Sequence, residues 1–187
     1  MTHDALCSAD NSQLVVVDLQ IRLLAAMSEI DRATLVKNAE IILQAASALE
    51  IPVSYTEQYP KGLGPTVPAI MENMPEGAEA IEKTCFSCCD VDAFRQSLEK
   101  TSRPQVVLIG QEAHICILQT SLELAAMGFR VFVVEDAVCS RFEVHKRNAL
   151  MRMRHAGVVV TNVESVLFEW VRDAAHPQFK LVSTLVR

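Results

Sequence analysis

No apolar run in the 187-residue sequence is long enough to cross a bilayer, which takes about 20 residues as a helix. Basic charge is not in excess either: 17 lysines and arginines stand against 23 aspartates and glutamates, a formal net charge of −6. A general affinity for nucleic acid or for an anionic membrane is therefore disfavoured. The first residues, MTHDALCSADNSQ, lack the basic and apolar regions of a secretory leader. The expected location is the cytoplasm, where the six cysteines stay as thiols. Internal repeats and low-complexity linkers are also missing. With half its residues hydrophobic and 21% charged, the chain has the composition of an ordinary globular protein. Its length fits one domain, residues 1–187, with a sizeable core.

What the sequence does contain is a regular alternation of strand and helix patterns. Leu14–Val17 is a β-branched run ending at Asp18, and continuous runs of this kind suit a buried parallel strand. A helix is expected over Ala33–Leu49, with Leu35, Ala39, Ile42, Ala46 and Leu49 on one face and Asp31 as its N-cap. Pro52–Thr56 reads as a second strand. The segment Glu57–Pro68 holds three prolines and two glycines and is expected to be a loop without helix or central strand. Loops of this length often act as lids. Ala80–Glu82 reads as a short strand leading to Lys83, and Asp92–Lys100 as a helix.

Val106–Ile109 is expected to be the central strand, broken at Gly110. A helix follows over Ala113–Met127, with Gly128 at its C′ position. Val131–Val134 is the next strand, ahead of Glu135 and Asp136. The helix Val144–Ala156 carries Lys146, Arg147, Arg152 and Arg154, a face read as solvated or subunit-contacting in an acidic chain. Val158–Val160 is the last strand, and Thr161 with Glu164 forms a capping-box pattern before a helix through Trp170. The tail Gln178–Arg187 is expected to form a short packing helix. Six strands alternating with helices predict a parallel sheet, helices on both faces and right-handed crossovers.

Three chemically distinct groups fall just after predicted strands: Asp18, Lys83 and Cys116. In a parallel sheet those ends share one edge, so the three can converge. Cys116 lies in the first turn of its helix, where free N–H groups and the macrodipole favour a thiolate. A lysine beside a thiol lowers its pKa, and a carboxylate can take and return the proton. N–H groups at the glycine turn suit an oxyanion. The set amounts to a cysteine-dependent acyl-transfer site. Taken singly, Asp18 also suits a turn and Cys116 a small buried hydrophobe. Cys85, Cys88 and Cys89 form a C-x-x-C-C cluster with no second pair to complete a zinc site, and they are read as packing. His114 is two residues from Cys116 and does not face it on a helix. His145 is likewise read as outside the reacting set.

Four motifs carry a family resemblance: VVVDLQ with Asp18, IEKTCFSC with Lys83 and Phe86, LIGQEAHICILQTSLEL with Cys116, and VEDAVCSR with Asp136 and Ser140. Their order and spacing resemble those of the isochorismatase-like cysteine hydrolases over nearly the whole chain. The loop TEQYPKGLGPTVP is similar to the branch of isochorismatase domain-containing proteins.

The resemblance implies a Rossmann-like three-layer α/β sandwich, with a six-stranded parallel sheet of order 3-2-1-4-5-6. It implies an Asp18–Lys83–Cys116 triad that hydrolyses a C–N bond through a thioester. A non-proline cis peptide would fall at Gln111–Glu112, and the backbone N–H groups of Glu112 and Cys116 would form the oxyanion hole. Isochorismatases proper act on a vinyl ether and lack this cysteine, so Cys116 argues against that reaction. The segment YTEQYPKGLG has no histidine, unlike the metal-binding region of nicotinamidases, so neither metal nor cofactor is expected. The expected substrate is a small molecule in a pocket walled by Gln20, Leu23, Tyr59 and Phe86 and closed by the Glu57–Pro68 loop. The family's habit of assembly predicts a homo-oligomer, a dimer or larger. The other function class is a non-catalytic binding or scaffold protein that keeps the fold.

Overall fold

The apolar run at Leu14–Val17 becomes β1, Ser12–Val17, and all six of its residues are buried. A computed structural model describes residues 6–187. The remaining strands are β2 (Val53–Gln58), β3 (Ala80–Lys83), β4 (Gln105–Gln111), β5 (Arg130–Cys139) and β6 (Val159–Thr161). The helices are α1 (Ile21–Ala25), α2 (Glu29–Ala48), α3 (Pro60–Leu63), α4 (Pro68–Met71), α5 (Asp92–Thr101), α6 (Leu118–Ala126), α7 (Glu143–His155), α8 (Val163–Val171) and α9 (Phe179–Leu185). All six strands are parallel, in the order β3-β2-β1-β4-β5-β6, which is the expected order.

Successive strand residues leave the sheet on opposite sides, and this splits the core in two. Leu14, Val16, Val107, Ile109, Phe132 and Val134 pack with Leu35, Ile42, Trp170 and Val182 of α2, α8 and α9. Val15, Val17, Val106, Leu108, Val131 and Val133 pack with Phe94, Leu98, Leu124 and Met153 of α5, α6 and α7. Both faces of the sheet are thus covered, so its strands read as continuous apolar runs.

Several boundaries differ from the expectation. α2 begins four residues earlier than read, capped by Ser28, whose hydroxyl accepts from the Asp31 N–H at 3.1 Å. Asp31 sits inside the first turn, where a carboxylate complements the dipole. The proline-rich segment is not all loop: β2 runs on to Gln58, and α3 starts on Pro60. Proline at the first helical position gives up an N–H that has no intrahelical partner anyway.

Gly110 does not break β4. It lies inside the strand at φ 118°, and a Cβ there would sit 2.0 Å from the Val17 carbonyl oxygen. A register shift between Leu108 and Gly110 lets β5 continue past Glu135 and Asp136 to Cys139. The helix after β4 opens as a π-turn, Ala113–Ile117, before α6. Asn162, not Thr161, caps α8 by accepting from the Ser165 N–H at 2.9 Å. Asp136 Oδ1 accepts from the Val163 N–H at 2.9 Å, so this carboxylate serves the start of α8. Among the described residues no helix is long and apolar enough to cross a membrane.

Candidate active site

Three of the candidate residues lie at strand ends on the carboxyl edge of the sheet. Asp18 follows β1 in a left-handed conformation, φ 52°, which aspartate tolerates better than most residues. Lys83 is the last residue of β3. Cys116 lies in the π-turn that follows β4, just past the Gln111–Glu112 peptide bond, which is cis. Lys83 Nζ donates to Asp18 Oδ2 at 2.7 Å and lies 3.6 Å from the Cys116 sulfur. Residues 65 and 33 positions apart in sequence therefore share one ammonium group.

β2 contributes two further groups that sequence reading missed. Thr56 Oγ1 donates to Asp18 Oδ1 at 2.7 Å. Gln58 Oε1 accepts from Lys83 Nζ at 2.6 Å, and Gln58 Nε2 donates to the Thr84 carbonyl at 2.7 Å, which fixes the amide's orientation. The two residues alternate along the strand and so face the same side. Extending the second strand by two residues would have exposed that pattern. Gln111 also reaches in, its Nε2 donating to the Asp18 carbonyl at 3.0 Å.

Gln20 is fully buried and braces β2 instead of walling an open pocket. Its Oε1 accepts from the Gln58 N–H at 2.7 Å, and its Nε2 donates to the carbonyls of Gln58 and Gly64. Tyr59 and Phe86 are 54% and 53% exposed, so both aromatic rings are open to solvent. Tyr59 is held in a left-handed turn at φ 36°, and its N–H donates to the Lys83 carbonyl at 2.8 Å. Its ring lies where any side chain at residue 62 would stand, hence Gly62. Leu23 is half-buried on α1.

The three side chains are closed off from water: Asp18 is 0%, Lys83 4% and Cys116 5% exposed. This corrects the expectation of a depressed thiol pKa. Burial is the largest influence and pushes the Cys116 thiol up to about 12; the Asp18 charge adds to this, and Lys83 pulls it partly back. Burial and the Asp18 charge both favour the thiol over the thiolate. Burial also works against the Lys83 charge, but Asp18, then Cys116 and Cys88, outweigh it and hold the ammonium above its ordinary value.

The remaining candidates lie around this centre. His114 Nδ1 is 3.0 Å from Ser140 Oγ, and its ring stands 4.7 Å from that of His145. Glu112 Oε2 accepts from the backbone N–H and Nε of Arg141, both at 3.1 Å. Cys88 and Cys89 are buried, Cys85 is half-buried, and all three are free thiols. Among the described residues no three His, Cys, Asp or Glu side chains gather as a metal ion would require.

The isochorismatase domain model matches residues 12–165. Isochorismatase domain-containing protein 2 of Pongo abelii is 47% identical over 156 residues, 82% of this chain and 73% of that protein. The structure of MAR1 ribonuclease from Caenorhabditis elegans superposes with a TM-score of 0.91 at 36% identity, covering 97% of this chain and 92% of that one. The YcaC gene product of Escherichia coli, described as an octameric hydrolase of unknown specificity, gives a TM-score of 0.89 at 25% identity over 96% of this chain and 88% of that one. On the extent of the domain match and the identity to its relatives, the chain belongs to the isochorismatase domain family.

Proposed function

We propose that this protein is a cysteine-dependent hydrolase that cleaves a small amide or related C–N bond through a thioester on Cys116. The observation that carries this reading is the Lys83 ammonium, 2.7 Å from Asp18 Oδ2 and 3.6 Å from the Cys116 sulfur. A buried thiol beside a buried carboxylate and a fixed cation has the parts needed for nucleophilic catalysis.

The sulfur attacks the carbonyl carbon while its proton passes to Asp18, and the carbonyl electron pair moves to oxygen. Lys83 balances the negative charge as it passes between carboxylate and sulfur. The backbone N–H groups of Glu112 and Cys116 hold the oxyanion. Collapse breaks the C–N bond, and Asp18 returns the proton to the leaving nitrogen. Asp18 next takes a proton from water as the hydroxide attacks the thioester; the C–S bond then breaks, and Asp18 passes that proton to the sulfur to restore the thiol. One carboxylate thus acts as base and acid in turn.

The exposed rings of Tyr59 and Phe86 are the walls expected for a small, partly planar substrate. The octameric state described for the Escherichia coli neighbour supports a homo-oligomer here. The C. elegans neighbour is called a ribonuclease, but a chain of net charge −6 does not favour a phosphate backbone.

The test is a panel of small amides, with mass detection of an acyl adduct on Cys116. Cys116→Ala should lose both adduct and turnover while keeping its fold. Undiminished hydrolysis by that variant would remove the covalent mechanism, whereas a wild-type protein that forms no adduct and turns over no amide would favour the scaffold reading.

A further inference from the structure

Asp18 has two oxygens with different partners. Oδ2 accepts from Lys83, which also reaches the Cys116 sulfur. Oδ1 accepts from the Thr56 hydroxyl at 2.7 Å. Thr56 is 1% exposed, so water does not compete for its hydroxyl. Its own oxygen is approached by the Cys88 thiol, a weak donor whose sulfur lies 4.0 Å away. Cys88 is fully buried, and its N–H donates to Thr120 Oγ1 at 2.9 Å, which anchors the residue from the α6 side. A hydroxyl has one hydrogen and two lone pairs. With a donor arriving from Cys88, its hydrogen is left to point at Asp18.

We propose that Thr56 is a positioning residue for the general base: its hydroxyl, held as a donor on Oδ1, confines the mobile proton to Oδ2, the oxygen that shares Lys83 with the sulfur. The proposal rests on the acyl-transfer reading of the site. It also gives a role to Cys88, which that reaction leaves unused. The chemistry is conservative. A proton leaves the Cys116 sulfur and arrives at Asp18 Oδ2, and the Thr56 hydrogen stays where it is throughout. Without that hydrogen, Oδ1 is open to the proton, and a proton parked there is off the oxygen that shares Lys83 with the sulfur.

Thr56→Val keeps the shape and removes the hydroxyl; Thr56→Ser keeps the hydroxyl. The probe is p-nitrophenyl acetate. Its attack by Cys116 forms the S–C bond, breaks the ester C–O bond and releases p-nitrophenolate as a burst, leaving an acetyl thioester visible by intact mass. The acetylation rate of Thr56→Val should fall about ten-fold, the low end for loss of a hydrogen bond to a charged group. Thr56→Ser should return to within about two-fold of the wild type, since its hydroxyl restores that bond. Cys88→Ala should slow acetylation about three-fold, in keeping with a weak thiol donor, and Cys88→Ser should recover it. Thermal melting checks that each variant is folded.

A wild-type rate in Thr56→Val, or a Thr56→Ser variant as slow as Thr56→Val, overturns the proposal. If Thr56→Val does not fold, the Cys88 pair decides, and equal rates in Cys88→Ala and wild type overturn it. Failure of the parent reading looks different: Cys116→Ala would then give the same burst as the wild type, and both ideas fall together.

Discussion

Gln58 Oε1 accepts a 2.6 Å hydrogen bond from the Lys83 ammonium, shorter than the ammonium's 2.7 Å contact with Asp18. These two bonds use two of its three N–H groups. The third remains for the Cys116 sulfur and for the carbonyls of Phe86 and Cys85 at 3.3 and 3.4 Å. Gln58 therefore sets the rotation of the ammonium. Gln58→Leu keeps the bulk and removes the acceptor, leaving one buried N–H without a partner. Such a loss costs about 1–3 kcal/mol. Urea unfolding should show a destabilisation of that size, and acetylation of Cys116 should slow with it. A Gln58→Leu variant of wild-type stability and rate would remove Gln58 from the site.

Asp18→Asn separates the two charges acting on Cys116. In the wild type, burial raises the thiol first and the Asp18 charge second, while Lys83 opposes both. Removing the carboxylate deletes a raising influence and leaves the lowering one. The thiol of Asp18→Asn should therefore ionise below the wild-type value of about 12. Iodoacetamide labelling of Cys116, followed by mass mapping across pH, reads this directly. The alkaline limb should move to lower pH, yet amide turnover should be lost, because no group remains to protonate the leaving nitrogen. An unmoved limb would mean that Asp18 does not act on the sulfur.

Buried thiols also set the alkaline limit of the fold. Cys88, Cys116 and Cys139 are each raised from 9.0 to about 12, chiefly by burial. Between those values the unfolded chain has released these protons and the folded chain keeps them. Folding then binds more protons than unfolding, so stability falls as pH rises. The full contribution is present below pH 9 and is lost on approaching pH 12. Each thiol contributes at most about 1.4 kcal/mol per pH unit. Urea midpoints measured at pH 8 and pH 10.5 should differ clearly, and Cys139→Ala should reduce the difference. Equal midpoints would contradict the burial of these groups.

Much of the architecture is legible in the sequence because a doubly covered parallel sheet writes its strands as unbroken apolar runs. Leu14–Val17, Val106–Ile109 and Val131–Val134 are such runs, and Asp18, Lys83 and Cys116 stand out as polar groups just beyond strands. Thr56 and Gln58 were hidden for the opposite reason. Thr56 closes the expected strand and Gln58 extends it into a proline-rich segment, so their alternation is too short to register. The thiol's raised pKa was out of reach because it depends on burial by residues distant in sequence. The run of β5 through Glu135 and Asp136 was equally hidden, since the register shift that permits it belongs to the pairing with β4.

Gly110 is the residue whose meaning changed most between sequence and fold. As a break it would tolerate alanine; as a strand residue it does not. Its φ of 118° lies where L side chains rarely go, and its Cβ would stand 2.0 Å from the Val17 carbonyl oxygen and 2.8 Å from the Val17 carbonyl carbon and nitrogen. These are backbone atoms of the neighbouring strand, so no side chain can rotate away to make room. Moving them would shift Val17 and, with it, Asp18. Gly110→Ala should therefore cost at least about 3 kcal/mol, the range of a strained backbone combined with core displacement. Any folded fraction should also acetylate Cys116 slowly, because Asp18 has moved. Thermal melting and the acetylation burst on the same sample test both parts. A Gly110→Ala variant that melts within a degree or two of the wild type would show that β1 and β4 are not in van der Waals contact at this point.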